Sequence, residues 1–427
     1  MNSLLRIPYA AAWTAVRDIA ARVPPGDSKL RRVLSGRTGL LERYEWWAAT
    51  HRDKRKKLLW MHAPSVGEGL QATPVLQLVR ARRPDVQIAY TYYSPSAENF
   101  SRGLGADFTD YLPFDITADA KRAISALAPT ALVYSKLDIW PVITEVAAAN
   151  GVKLGVVSAT LAATSQRSGL IGRQLLGDAY RALDSVGAIS AADAERFAEH
   201  GVLPDRITVT GDTRYDQVWE RAKRSAELET VRSLRSDRPT LVAGSTWPSD
   251  ERRLLPAWRI VKNLVPKARM IIAPHEISET HIRALLLWAR AAGLSAERID
   301  ASSSDTDIIV VDRTGILGDL YANAHAAYVG GGFHNAGLHS VLEPAAFAAP
   351  VLFGPRNAAS PDARPLADAG GGAEVTEKSA IVAHLLEWFQ NPEARDAAGV
   401  RATAFVKGGL GAAERSFALV MDLLDRG

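Results

Sequence analysis

Residues 58–82, LLWMHAPSVGEGLQATPVLQLVRAR, decide the fold. Leu58–His62 is a short, continuously apolar run, Ala63 to Gly69 is a Pro/Gly-punctuated turn, and helical spacing begins near Leu70 and continues to Arg82. A wholly apolar strand that passes through a short turn into a helix is one step of a parallel sheet covered on both faces. The step recurs. Strands are predicted over Gln87–Tyr92, Ala131–Tyr134, Leu154–Ser158, Val186–Ile189 and Ile207–Thr210, with helices over Ala118–Ala128 and Ala191–His200 among them. A charged, helix-prone stretch from Gln217 to Arg238 breaks the rhythm. It resumes with Thr240–Ala243, Arg269–Ala273, Asp307–Val311, Ala326–Val329 and Pro350–Phe353, and a last helix, about Ala412 to Asp425, has no strand after it. The expected class is α/β, two consecutive doubly wound domains at 24–216 and 239–411. A helix at 1–23 precedes them, 217–238 links them and 412–427 follows.

The length of 427 residues agrees with two cores, and 47% hydrophobic with 23% charged residues describes a globular chain. The absence of cysteine excludes a disulfide framework, a thiolate metal site and a cysteine nucleophile. Residues 1–60 carry thirteen Lys/Arg against five Asp/Glu, an excess larger than the net +4 of the whole chain. That concentration argues against a nucleic-acid coat and for an anionic partner near the N-terminal end. No run approaches the ~20 apolar residues that span a bilayer. Met1 to Val23 groups Leu5, Ala12, Val16 and Ile19 with Tyr9 and Trp13, an amphipathic helix that lies on a membrane surface or packs on the protein.

In such sheets ligands gather beyond the carboxyl ends of the strands. After the first strand, Ser65, Gly67, Glu68 and Gly69 combine flexible backbone with one carboxylate, which is either a general base or a helix-start residue that favours the dipole. After the strand at Ala131–Tyr134, Lys136 and Asp138 precede Trp140-Pro141 and contact either one ligand or each other. Gly211-Asp212-Thr213-Arg214 brings an arginine whose planar fork suits phosphate or carboxylate, expected beside a cleft between the domains. In the second half, Ser245-Thr246-Trp247-Pro248 and Pro274-His275-Glu276 follow strands. Gly330-Gly331-Gly332 leads toward a helix opening at Leu342-Glu343-Pro344, donors for a phosphate and a carboxylate for ribose. His275-Glu276 and His281 lack zincin spacing, and Asp305-Thr306-Asp307 stands before its strand, so a solvated loop and no metal site are expected.

Taken together and in order, these segments resemble the 3-deoxy-D-manno-octulosonic acid (Kdo) transferases of lipopolysaccharide synthesis. The resemblance rests on His62-Ala63-Pro64-Ser65-Val66-Gly67-Glu68, Tyr93-Ser94-Pro95-Ser96, Tyr111-Leu112-Pro113-Phe114-Asp115, Lys136 to Pro141 and Gly211 to Asp216. It continues through Ala243 to Trp247, Ala273-Pro274-His275, Asp312 to Leu317, the glycine loop through Glu343-Pro344, and Val351 to Pro355. It implies a GT-B architecture, two Rossmann-like domains facing across a cleft with the last helix crossing back to the first. It implies an inverting glycosyltransferase that moves Kdo from CMP-Kdo to a lipid A precursor of the lipid IVA type, with no cofactor and no metal, at the cytoplasmic face of the inner membrane as a peripheral protein.

On matched positions the resemblance makes Glu68 the general base, Asp138 the next carboxylate and Arg214 the residue that steadies the leaving phosphate. Ser65, Gly67 and Lys136 fall on the acceptor side. Ser245, Thr246, Pro274, His275, Gly315, Ile316, Leu317, Gly331, Gly332, Ser340, Val341, Leu342 and Glu343 fall on the CMP side. Two positions depart from the family pattern: Lys136 stands where many members carry glutamate, and Ser340 where asparagine is usual. Another GT-B transferase, a sugar-nucleotide epimerase and a weakly active binding paralogue are the alternatives.

Overall fold

The computed structural model describes residues 1, 3–24, 26, 28–162, 165, 167 and 169–427, apart from the side chains of Ser3, Leu4 and Leu170. The chain forms two compact units, Met1–Gln217 with Leu410–Gly427, and Val218–Gly409. The first holds a seven-stranded parallel sheet of β1 (Leu58–His62), β2 (Gln87–Tyr92), β3 (Phe108–Tyr111), β4 (Ala131–Ser135), β5 (Lys153–Ala159), β6 (Ser185–Ala188) and β7 (Ile207–Val209). Their order is β3-β2-β1-β4-β5-β6-β7. The order reverses between β1 and β4, which pair with Leu59 opposite Ala131 and His62 opposite Tyr134. β1 and β4 are buried along their whole length, as strands with helices on both faces must be.

The second unit repeats the plan with β8 (Thr240–Thr246), β9 (Arg269–Pro274), β10 (Ala296–Arg298), β11 (Ile308–Val310), β12 (Ala326–Val329), β13 (Val351–Phe353) and β14 (Gly372–Glu374). The order is β10-β11-β9-β8-β12-β13-β14, again parallel, and it reverses between β8 and β12. The helix Ala412–Arg426 belongs to the first unit, where Leu419, Val420, Leu423 and Leu424 are buried in the core that includes β4, β5 and β6.

Several expectations need correction. β3, β10 and β14 were not predicted; they lie at the ends of the sheets and mix exposed or polar residues with apolar ones, so they form no continuous apolar run. The stretch 217–238, read as helix-prone, does carry helices, Thr213–Ser225 and Glu229–Ser233, but the first starts earlier than expected, within the Gly211 to Asp216 motif. Asp307 is not in a solvated loop. Its carboxylate accepts hydrogen bonds from Arg238 Nη2 and Lys262 Nζ, each at 2.6 Å, and from the Ser295 hydroxyl at 3.1 Å. Burial raises its proton affinity, but these partners outweigh it and hold the carboxyl below its ordinary range.

The N-terminal helix Ser3–Ala20 presents its aromatic face inward. Tyr9 donates to Asp115 at 2.6 Å, and Trp13 packs against Trp140 and Phe114 with ring centroids 5.4 and 6.3 Å apart. Leu5 and Val16 also pack on the protein, so of the grouped residues Ala12 and Ile19 face outward, together with Ile7, which is 78% exposed. Among the described residues, no helix is long and apolar enough to cross a membrane.

Candidate active site

The reversal of strand order in the first unit brings the β1 and β4 loops side by side. The helix after β1 runs Val66–Arg82, starting four residues earlier than its spacing predicts, so Glu68 lies in its first turn rather than on a loop before it. Ser65 Oγ donates to Glu68 Oε2, and Ser135 Oγ, from the last residue of β4, donates to the Glu68 carbonyl at 2.9 Å. Lys136 Nζ lies 3.3 Å from Glu68 Oε1. Gly67 leaves open space around its Cα, but a Cβ on Gly69 would fall 2.4 Å from the Phe100 ring and 2.7 Å from the Tyr90 hydroxyl. Only Gly67 therefore gives a ligand room; Gly69 is required by packing.

Lys136 and Asp138 do not pair. Asp138 accepts from His62 Nε2 at 3.1 Å, Trp140 Nε1 at 2.9 Å and Arg167 Nη2 at 2.9 Å. Burial alone would raise its proton affinity; the His62 and Arg167 charges and the hydrogen bonds outweigh it, so the carboxyl sits below its ordinary range. His62 is itself buried, with Nδ1 3.0 Å from both the carbonyl and the hydroxyl oxygen of Thr91. Asp138 is thus an anchored carboxylate, already accepting three hydrogen bonds.

Arg214 enters on the helix Thr213–Ser225, whose first residue fixes it against the Glu68 helix. Thr213 Oγ1 donates to the Gln71 carbonyl at 2.7 Å and lies 2.7 Å from Ser158 Oγ. The Arg214 guanidinium turns onto Asp212, with Nε and Nη2 at 2.8 and 2.7 Å from Oδ2. The three catalytic candidates of the first unit, Glu68, Asp138 and Arg214, are therefore linked through β1, β4 and the Gln71 turn. Close by, Tyr9, Ile139, Trp140, Pro141, Ile171 and Leu175 line much of an apolar pocket of about 740 Å³ that Arg167 also borders.

The second unit gathers its candidates at the matching reversal. β8 pairs with β9 and β12, so Ser245, Thr246, Pro274, His275, Gly331 and Gly332 come to one end of the sheet. Trp247 stacks on His275 and on His334, with centroids 4.3 and 3.8 Å apart, and His275 also meets His339 at 4.7 Å. Burial, aided by His275, pushes the His339 imidazole below its ordinary value. The glycine run is shaped by the protein rather than by a ligand, since a Cβ on Gly330 would fall 2.2 Å from the Ser245 carbonyl. The helix expected at its far end is a single short one, Leu342–Ala346, with Ser340 and Val341 before it and Glu343 in its first turn.

Glu343 accepts no hydrogen bond among the described residues. Burial raises its proton affinity, Arg221 opposes and Asp319 adds to the rise. Arg221 binds Asp319 through two contacts of 2.8 Å and donates to the Gly315 carbonyl at 3.0 Å, which anchors the Gly315-Ile316-Leu317 turn.

Sequence reasoning missed the supporting residues. Asp250, fully buried, accepts from the Trp247 and Gly331 amides at 2.9 Å each, from the Phe333 amide at 3.3 Å and from the Tyr328 hydroxyl at 3.2 Å. Its place three residues after the residue preceding Pro248 is a capping signal that was available. Thr246 binds Glu251 five residues on, whereas the His281–Glu251 contact and the Arg221 bond that closes the Gly315 turn are long-range pairings that carry no local signal.

Residues 38–217 match the sequence family described as 3-deoxy-D-manno-octulosonic-acid transferase. Curated proteins named 3-deoxy-D-manno-octulosonic acid transferase are similar along most of the chain. The Haemophilus influenzae protein is 24% identical over 86% of this chain and 87% of its own length, and the Bordetella pertussis protein is 27% identical over the same shares. That of Chlamydophila psittaci is 29% identical over 79% of this chain and 78% of its own length. Among solved structures, the UDP-GlcNAc 2-epimerase of Neisseria meningitidis superposes with a TM-score of 0.62, covering 87% of this chain and 100% of that one at 13% identity. At that identity the likeness concerns the fold, a pair of Rossmann-like domains of the GT-B type.

Proposed function

We propose that this chain is a member of the Kdo transferase family and that it is the inverting glycosyltransferase that moves Kdo from CMP-Kdo to a lipid A precursor in lipopolysaccharide synthesis. The observation that carries the reading is the family match over 38–217, which encloses the β1 and β4 loops and with them Glu68, Lys136, Asp138 and Arg214. In the reaction an acceptor hydroxyl oxygen bonds to the anomeric carbon while the bond from that carbon to the CMP phosphate breaks. The electron pair leaves with the phosphate, and the hydroxyl proton passes to Glu68.

Glu68 suits the base role because its main chain and both carboxylate oxygens are held by Ser135, Ser65 and Lys136, while a carboxylate keeps further lone pairs for the incoming hydroxyl. Arg214, oriented by Asp212, suits the charge that develops on the leaving phosphate. CMP is assigned to the Trp247–His275 stack, the Gly315 turn and Ser340 to Glu343, whose carboxylate suits ribose hydroxyls. The apolar pocket beside Trp140 and Arg167 supports an acceptor with acyl chains. The outward residues Ile7, Ala12 and Ile19 support peripheral attachment to a membrane surface.

Incubation with CMP-Kdo and the tetraacyl precursor lipid IVA, with product read by mass, tests the reading. Glu68→Gln is expected to lower kcat by about 10²–10⁴-fold while CMP affinity stays near wild type. Near-normal kcat in that variant would remove Glu68 from the base role.

A further inference from the structure

Lys136 adopts a backbone conformation that residues with a Cβ avoid. It follows the last residue of β4 with φ of 68°, in the left-handed region that favours glycine. Its amide donates to the Val157 carbonyl at 2.8 Å, so the turn is fixed to β5. The left-handed turn directs its side chain away from Asp138, which keeps its own partners His62, Trp140 and Arg167, and onto Glu68. Ser135 and Lys136, adjacent in sequence, thus hold the carbonyl and the carboxylate of one glutamate. A glycine would occupy this turn without strain, so what a lysine adds lies in its side chain. Strain of this kind persists where surrounding structure over-determines it, and such positions cluster at functional sites.

We propose that Lys136 is a positioning residue for Glu68. Its ammonium, with the Ser65 hydroxyl, holds the carboxylate in one orientation and leaves its other lone pairs for the acceptor hydroxyl. The proposal rests on the reading of Glu68 as the base. It also gives a role to the position where many family members carry glutamate. Lys136, from the turn after β4, contacts Glu68, and Tyr90, from β2, feels its charge. The Tyr90 phenol is pushed up by burial and by the Glu68 charge, so it stays neutral at working pH. The Glu68 and Lys136 side chains are 21% and 40% exposed, so the pair is partly screened but not lost in bulk water.

The test compares Lys136→Gly, Lys136→Met and Lys136→Arg in the CMP-Kdo and lipid IVA assay, with thermal melting measured beside each. Lys136→Gly relieves the left-handed strain and is expected to melt no lower than wild type. Its kcat nevertheless falls about tenfold while its KM for the acceptor stays near wild type, the split expected when orientation rather than binding is lost. Lys136→Met, which keeps the Cβ, shows the same split. Lys136→Arg returns kcat toward its wild-type value.

A wild-type kcat in both the Gly and Met variants would overturn the proposal. If that result came with an inactive Glu68→Gln, the base assignment would stand and only the positioning role would fall. If Glu68→Gln itself kept normal turnover, both would fall.

Discussion

Replacing Asp250 by alanine should unsettle the second unit at one defined place. The side chain is 0% exposed, and its carboxylate accepts from two main-chain amides at 2.9 Å, those of Trp247 and Gly331. Phe333 and Tyr328 contribute longer contacts of 3.3 and 3.2 Å. Truncation leaves the two close amides without an acceptor, and each unmet buried donor costs about 1–3 kcal/mol. Their sum centres on about 4 kcal/mol, and a water entering the vacated space reduces it only where it can reach both amides. Asp250→Asn keeps one carbonyl oxygen but turns an amide donor toward the others, so about half the loss is expected. With a urea slope of about 3 kcal/mol/M the midpoint of Asp250→Ala falls by more than ~1 M. Amide hydrogen exchange at 330–333 rises with it. A midpoint within ~0.2 M of wild type, with unchanged exchange at the glycine run, would refute the account of what shapes this loop.

Two further outcomes follow from the same geometry. Ile7→Glu with Ile19→Glu leaves the packed face of the N-terminal helix intact, since Tyr9 and Trp13 point inward, and should reduce co-sedimentation with anionic liposomes without lowering the melting temperature. Unchanged binding across a salt series would place any membrane contact elsewhere. Asp307 has a folded-state pKa below its unfolded value, so the Arg238 and Lys262 contacts stabilise fully above about pH 4 and are lost as pH falls through the folded pKa. Asp307→Asn should therefore flatten the acid limb of the stability curve below about pH 4, and an unaltered limb in acid-unfolding measurements would contradict this.

The alternation of apolar runs with helical spacing made the two parallel sheets legible, because strands buried on both faces must be apolar throughout. β1, β2 and β12 match their expected ranges residue for residue, and the motif loops beyond β1, β4, β8 and β12 do lie at the carboxyl ends of those strands. The end strands β3, β10 and β14 were not legible, since partly exposed edges carry polar residues that break the apolar run, and sheet neighbours rather than local preference hold them.

Within the site, the sequence by itself determined which chemical groups stand after which strand: Glu68 after β1, Lys136 and Asp138 after β4, Arg214 after β7. Only the tertiary structure decided how they pair. Lys136 and Asp138, two residues apart, part company because the intervening turn is left-handed. Lys136 then reaches across to Glu68, and Asp138 is taken up by His62, Trp140 and Arg167. The glycine run beside β12 likewise reads in sequence as a cradle for a ligand, yet Gly330 is fixed by the Ser245 carbonyl and Gly331 by Asp250. Strand order was the missing quantity. Pairing β1 with β4 and β8 with β12 places residues about 70 to 90 positions apart within hydrogen-bonding distance, and such contacts leave no periodic trace in the chain that makes them.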